Sequence, residues 1–361
     1  MTPVTAWQKT LWAQLASQGM SHATIFHGQE GLGHLDFALN MAKAKLCESQ
    51  TESKPCHQCE ACRWFDTGSH PDFQGLLPED LQSLLPHDNL IDDVGEEVVI
   101  KNISTDDDKA DKKLSQVIKV AHIRSMIDSL GTASYRSGQR VVLLGPLESL
   151  EPISANTLLK TLEEPPENTI FLLFTYRLDR ILPTIKSRCR LIAMPKPSEE
   201  DALAWLSSQV ASANLEIDSQ NLLAILREEG GAPARAWQRI FDLEEQSYQE
   251  SLQQLLHGLG QGRQVEWIKL SESINKVPLR EILILLQKWL YDLLLFRTVG
   301  YAKFYPQTQV LISACAAKAN TAKLREFLKA VSDSRKSENH PLANRVQIES
   351  LLIRYKNIFE A

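Results

Sequence analysis

The sequence predicts an α/β domain on a parallel five-stranded sheet, followed by a small helical domain and an all-helical C-terminal domain. Three observations carry that prediction. Short apolar runs alternate with helical patterns as far as residue 195, a glycine-rich turn joins the first run to a helix, and from residue 243 onward every periodic stretch has helical spacing.

The totals narrow the function classes. A chain of 361 residues can hold two or three domains and bury a sizeable core without covalent staples. Its 39 Lys+Arg against 45 Asp+Glu give a net charge of -6. That balance is poor for a chain that holds nucleic acid alone, because the phosphate backbone must be neutralised by clustered cations. Of six cysteines, four crowd between positions 47 and 62, which suits a metal in a reducing compartment better than a secreted disulfide framework. Residues 1–7 lack the basic-then-apolar pattern of a secretory signal. The most apolar stretch, residues 279–296, carries Arg280, Glu281, Gln287, Lys288 and Asp292, which argues against a membrane span. The expectation is a soluble, cytoplasmic protein with no membrane partner.

Trp7, Leu11, Trp12 and Leu15 have helical spacing, closed by Gly19. An apolar strand over 23–27 then breaks into Gly28-Gln-Glu-Gly31-Leu-Gly33, and a helix begins at His34 with Leu35, Leu39, Ala42 and Leu46 on one side. Strand, glycine turn and helix N-terminus are the parts of a phosphate-binding loop, since backbone N–H groups and the helix dipole converge on one anion. The template G-x-x-x-x-G-K-[ST] places a Lys on the outer phosphates and a hydroxyl on magnesium. Gly28 and Gly33 keep its spacing, yet the Lys position is His34 and the hydroxyl position is Leu35. The cradle is there without its chemical groups.

The helix runs into Cys47, then Cys56-His-Gln-Cys59-Glu-Ala-Cys62. Two tandem Cys-x2-Cys steps turn thiolates towards one centre, and Cys47 can supply the fourth. Four thiolates satisfy tetrahedral zinc and leave no open position for catalysis, so the expected role is structural. His57 or His70 could replace Cys47, and an iron–sulfur cluster also suits four thiolates. Residues 74–116 lose the pattern: eleven acidic residues meet four lysines, which reads as a solvated, partly disordered insertion.

Regular structure resumes at Val117, where Val117, Val120, Ile123, Ile127 and Leu130 trace one helical face, and residues 140–144 form the next strand. In a nucleotide-hydrolysing domain this strand should end in acids that hold magnesium and orient water. Here it ends in Gly145-Pro146-Leu147-Glu148, with the acid too far on. A helix over 153–163 stops at Pro165-Pro166, residues 169–175 read as a fully buried strand, a short helix over 178–185 leads to Ser187-Arg188-Cys189, and residues 191–194 form a last strand. Pro195-Lys-Pro197 is a stiff linker, and Ser198 caps the first of three short helical patterns that reach Phe241. Further helices are expected over 252–259, 279–296, 324–331 and 342–359. The second of these is apolar around most of its circumference, as in a helix buried on several sides.

Together, Gly28-x4-Gly33 without a lysine, the four cysteines, Asn156-Thr-Leu-Leu-Lys-Thr-Leu-Glu-Glu-Pro-Pro166, Ser187-Arg188-Cys189 and Gly230-Gly-Ala-Pro-Ala-Arg235 resemble the delta-prime family of bacterial DNA polymerase III clamp-loader subunits over nearly the whole chain. The resemblance implies an AAA+ module over 1–195 with a zinc module at 47–62 and the acidic insertion at 74–116. It also implies a helical lid over 196–245 and a helical collar over 246–361 that builds a ring with gamma/tau and delta subunits. It implies a rigid stator with no working ATP site of its own, in a polymerase holoenzyme that loads a sliding clamp on primed DNA at the replisome. Gly28, Gly31 and Gly33 become a vestigial loop, and Arg235 a vestigial nucleotide sensor. Arg188, with Ser187 beside it, becomes the finger that reaches ATP on a neighbouring gamma/tau subunit. A guanidinium suits that task, being always charged and forked for phosphate oxygens. Taken alone, Arg188 reads as one half of a surface salt bridge, and Cys189 as a small core residue.

Two other classes compete with the stator. A self-sufficient ATPase needs Lys at position 34 and acids near 145, and has neither. A zinc-dependent nucleic-acid binder acting alone needs a basic face near the cluster, whereas the segment past Cys62 is acidic.

Overall fold

The structure, a computed structural model, describes residues 4–51, 54–86, 114–131, 135, 138–241, 246–264, 266–335 and 344–360. The chain divides into two compact units, 1–196 and 197–361.

In the first unit, five parallel strands, β1 (Ala23–His27), β2 (Phe73–Leu76), β3 (Arg140–Leu144), β4 (Thr169–Thr175) and β5 (Arg190–Ala193), lie in the order β2-β3-β4-β1-β5. β4 is buried at every position, as its unbroken apolar run requires. β1 sits between β4 and β5, with His27 opposite both Thr175 and Ala193. The chain order reverses there, which is where open α/β sheets carry ligands beyond the carboxyl ends of their strands. The glycine loop lies at that point.

Helices α1 (Lys9–Gln18), α2 (His34–Leu46) and α3 (Glu60–Thr67) follow the N-terminal segment, the glycine loop and the cysteine run. Their aromatic residues mesh edge to face: Phe37 meets Trp12 at 5.7 Å and Phe26 at 5.3 Å between ring centres. α4 (Val120–Ser129) and α5 (Pro152–Glu163) supply Ile123, Met126, Leu158 and Leu162 to a second cluster with Ile25, Val142, Phe171 and Leu173. A four-residue helix, α6 (Pro183–Lys186), precedes β5. Val117, expected on the α4 face, is exposed; Ile118 is buried instead and bridges to Leu150.

β2 was not legible in the sequence. It lies at the start of the segment read as a solvated insertion, where Phe73, Leu76 and Leu77 are buried, and a 3-10 turn follows at Glu79–Leu84. Two of its four positions are Gln74 and Gly75, so neither alternation nor an apolar run marks it. Pairing with β3 decides the conformation, and Gly75 lets Leu85 pack against the strand. Most of the acidic segment, residues 87–113, falls outside the described residues.

The second unit is helical. α7 (Glu199–Ser212), α8 (Ser219–Glu228) and α9 (Pro233–Phe241) share a small core of Leu206, Leu226 and Ala236. Ser198 caps α7 by accepting the Asp201 N–H. Then come α10 (Gln249–Gly260), α11 (Trp267–Ser273), α12 (Leu279–Val299), α13 (Gln309–Lys318), α14 (Thr321–Ser334) and α15 (Asn344–Asn357). α12 is the axis of this core, with Leu283, Leu286, Trp289, Leu290 and Leu293 wholly buried. Two of the charges along α12, Lys288 and Asp292, are used internally. Asp292 accepts the backbone N–H groups of Lys303, Phe304 and Tyr305, each at 2.9 Å. Lys288 lies 3.6 Å from Glu229, which also pairs with Arg239. Among the described residues no helix is long and apolar enough to cross a membrane.

Candidate functional site

The four cysteines converge. Their sulfurs all lie within 4.8 Å of one another, Cys47 and Cys59 at 3.9 Å and Cys56 and Cys62 at 4.0 Å. Four thiolates at ~2.3 Å from a tetrahedral zinc are ~3.8 Å apart, so the spacing fits one ion. The local fold turns donors onto the sulfurs: the Cys56 N–H points at Cys47 Sγ (3.4 Å), the Cys59 N–H at Cys56 Sγ (3.3 Å) and the Cys62 N–H at Cys59 Sγ (3.4 Å). Donation from the Gln58 and Cys59 backbone lowers the Cys56 thiol to about 6. Burial pushes Cys62 the other way, a penalty that a divalent cation at the centre would remove.

The histidines considered as ligands stand elsewhere. His57 Nδ1 accepts from Lys43 Nζ at 2.9 Å, and His70 Nδ1 accepts the Asp72 N–H at 3.1 Å. Lys43, on α2 and 2% exposed, also holds both oxygens of Asp66 on α3, at 2.6 and 2.7 Å. α2 therefore carries the glycine loop at its N-terminus, a clamp onto α3 in its last turn, and Cys47 just past its C-terminus. The sequence pointed to the cysteines but not to Lys43 and Asp66, whose meeting depends on how α2 and α3 pack.

The glycine loop has the expected backbone and a different interior. Gly28, Gly31 and Gly33 all have positive φ, at 156°, 86° and 81°. His34 is 1% exposed, and its Nε2 is 3.3 Å from where a Cβ on Gly28 would stand, so the imidazole fills the floor of the cradle. It meets Tyr176 edge-on at 5.2 Å. Gln8 donates to the carbonyl oxygens of Leu32 (2.9 Å) and Gly33 (3.4 Å), fixing the loop from the N-terminal segment. Burial, with His27 nearby, lowers His34 to about 4, so at neutral pH the ring carries no charge to offer a phosphate. Burial, then the carboxylates of Glu30, Glu148 and Asp36, raises the Tyr176 hydroxyl, which marks a negative field at the loop mouth.

The end of β3 has no room for an acid either. At Gly145, where a hydrolytic strand would present its acid, an added Cβ would stand 2.6 Å from the Phe174 ring and 2.8 Å from the Phe174 carbonyl oxygen. No side chain fits without moving β4. Glu148 does not substitute, because its oxygens accept from Thr175 Oγ1 (2.6 Å) and the Tyr176 N–H (2.9 Å).

The His34 shift makes a testable statement about stability. In the unfolded chain the group titrates near 6.5 and in the folded chain near 4, so the unfolded state binds more protons between those values. Stability is therefore lost as pH falls through that window, by about 3 kcal/mol in all. Denaturant melts between neutral pH and about pH 4 should show this contribution in the wild type and its absence in His34→Phe.

Arg188, just beyond α6, is 30% exposed on its side chain and Glu163, the last residue of α5, 47%. Arg188 Nε donates to Glu163 Oε1 at 2.7 Å, Nη2 donates to the same oxygen, and Nη1 donates to the Thr184 carbonyl at 2.8 Å. Ser187 Oγ lies 3.4 Å from Nη1 and itself donates to Thr184 O. Burial raises the Cys189 thiol to about 12, which fits packing and not nucleophilic chemistry. Arg235 lies in the second unit with Nε 3.9 Å from Glu229.

A family model described as DNA polymerase III, delta subunit, matches residues 5–198. The DNA polymerase III subunit delta' of Pseudomonas aeruginosa is 30% identical over 282 residues, which cover 77% of this chain and 74% of that protein. The subunit delta' of Escherichia coli is 28% identical over 255 residues, 70% of this chain and 64% of that one. The chain thus spans between about two thirds and three quarters of these relatives. Among solved structures, a DNA polymerase III gamma subunit-related protein of Thermotoga maritima aligns with 98% of this chain and 100% of its own, at 16% identity and a TM-score of 0.39.

Proposed function

The chain belongs to the family of DNA polymerase III delta-prime subunits, and on that premise we propose that it is the non-hydrolysing stator of a clamp-loader complex. In this reading it joins a hetero-oligomeric ring with gamma/tau and delta subunits in the cytoplasm, at the replisome, and helps load the sliding clamp onto primed DNA. It presents Arg188 to ATP bound on the neighbouring gamma/tau subunit and holds one structural zinc.

The observation that carries this reading is the contrast between two places in one unit. The chain's own loop is filled by a neutral imidazole and bordered by carboxylates, and the strand beside it has no room for an acid at Gly145. Arg188, by comparison, is a permanent cation held near the surface on a short, hydrogen-bonded turn. A guanidinium able to take phosphate oxygens stands at the second place, and no cation stands at the Lys position of the first.

The purified chain alone should turn over ATP only at background, yet co-purify with gamma/tau and delta and be required for DNA- and clamp-stimulated hydrolysis by the complex. Steady turnover by the isolated chain would favour an ATPase acting alone and would sink the stator reading.

A further inference from the structure

The side edge of the Arg188 guanidinium, Nε with Nη2, is covered by one oxygen of Glu163, and its end edge is half engaged by the Thr184 carbonyl. A phosphate takes a guanidinium most strongly through two parallel N–H donors on one edge. The edge able to provide both is the one Glu163 covers. Moreover, a phosphate arriving there would meet the Glu163 carboxylate, a like charge within a few ångströms. Glu163 and the neighbour's triphosphate therefore compete for the same two donors.

We infer that Glu163 is a positioning residue that keeps Arg188 docked on its own subunit and gives it up when a neighbouring subunit's nucleoside triphosphate arrives. This rests on the reading of Arg188 as a finger acting in trans. The contact has the strength such a role needs. Both partners are partly exposed, so the pair is weak enough for a multiply charged triphosphate to displace it, while the Thr184 bond keeps the side chain aimed during the exchange. It also joins two stretches otherwise distant in sequence, the Leu-Glu-Glu-Pro-Pro run that ends α5 and the Ser-Arg-Cys triplet after α6. Release of the arginine is thereby tied to the C-terminal end of α5.

The test is ATP hydrolysis by the reconstituted complex with primed DNA and clamp, comparing wild type, Glu163→Gln, Glu163→Ala, Arg188→Ala and the double variant Glu163→Gln/Arg188→Ala. Glu163→Gln keeps shape and removes charge. It should raise turnover at sub-saturating ATP by roughly two- to five-fold at low salt, through a lower KM and not a higher kcat, and the gain should shrink as salt screens the pair in the wild type. Glu163→Ala should change turnover in the same direction. The double variant should match Arg188→Ala, since the effect passes through the arginine. Unchanged or reduced turnover in both Glu163 variants, at normal melting temperature, overturns the inference even if Arg188→Ala is slow. If Arg188→Ala hydrolyses normally, the functional reading itself has failed.

Discussion

In a reconstituted complex, Arg188→Ala is expected to slow ATP hydrolysis at the neighbouring site we propose it reaches by about 10³-fold or more, the lower end of what a trans arginine supplies in other nucleotide hydrolases. Folding and ring assembly should be untouched. The substitution removes a partly exposed side chain whose partners are Glu163, the Thr184 carbonyl and Ser187. Loss of such an ion pair changes stability by about 1 kcal/mol at most. A large kinetic effect beside a negligible thermal one is the signature of a residue that acts outside its own fold.

Arg188→Lys sharpens the test. A lysine keeps the charge but offers a point donor where the guanidinium offers a fork, so charge alone cannot rescue in-line phosphoryl transfer. Hydrolysis should stay closer to the alanine variant than to wild type, measured in single-turnover experiments so that other sites in the ring do not mask the loss. Normal hydrolysis in both variants, in a complex of normal composition, would remove Arg188 from the mechanism.

What could be read in advance follows from where each signal is stored. The strands β1, β3, β4 and β5 are apolar runs bounded by turn residues, and each was visible. The strand β2 carries Gln74 and Gly75 and owes its conformation to β3, a partner far off in sequence. The missing lysine and hydroxyl at 34 and 35 are facts of residue identity. That His34 turns inward to fill the cradle, and that Phe174 leaves no room for a side chain at Gly145, are facts of packing that no spacing encodes. The cysteines announced themselves by spacing because a metal site needs its donors close in sequence to limit the entropy of closing the loop. Glu163 looks in the sequence like any other member of the Leu-Glu-Glu-Pro-Pro run, since its meaning arises only when the turn after α6 brings Arg188 to the end of α5. Short-range chemistry was legible, and pairings between distant segments were not.

Removing the proposed structural zinc should have the largest effect on stability. Structural zinc contributes about 10 kcal/mol of apparent binding energy to small modules, and in the unfolded chain that energy is lost. Elemental analysis should give about one zinc per chain, and Cys62→Ser should give none, because Cys62 is a buried donor on α3 whose loss opens the tetrahedron. The consequence should be felt first in the last turn of α2, which carries the Lys43–Asp66 clamp with Cys47 just past it, and from there towards the glycine loop at the start of the helix. Without the metal, the cysteine segment leading into α3 loses its anchor, and the buried ammonium of Lys43 loses the fixed position of Asp66. Chelation should therefore lower the melting temperature of the first unit while leaving the second unit's transition in place. Complexes that stay assembled should hydrolyse ATP at the normal rate per active site, because four thiolates close the coordination shell and leave no position for water or substrate. A zinc-free protein that melts like the holo form would show that the cysteines hold nothing the fold depends on. A chelated but intact complex with a lost catalytic step would instead assign the metal a role that a closed tetrahedron of sulfurs has no means to perform.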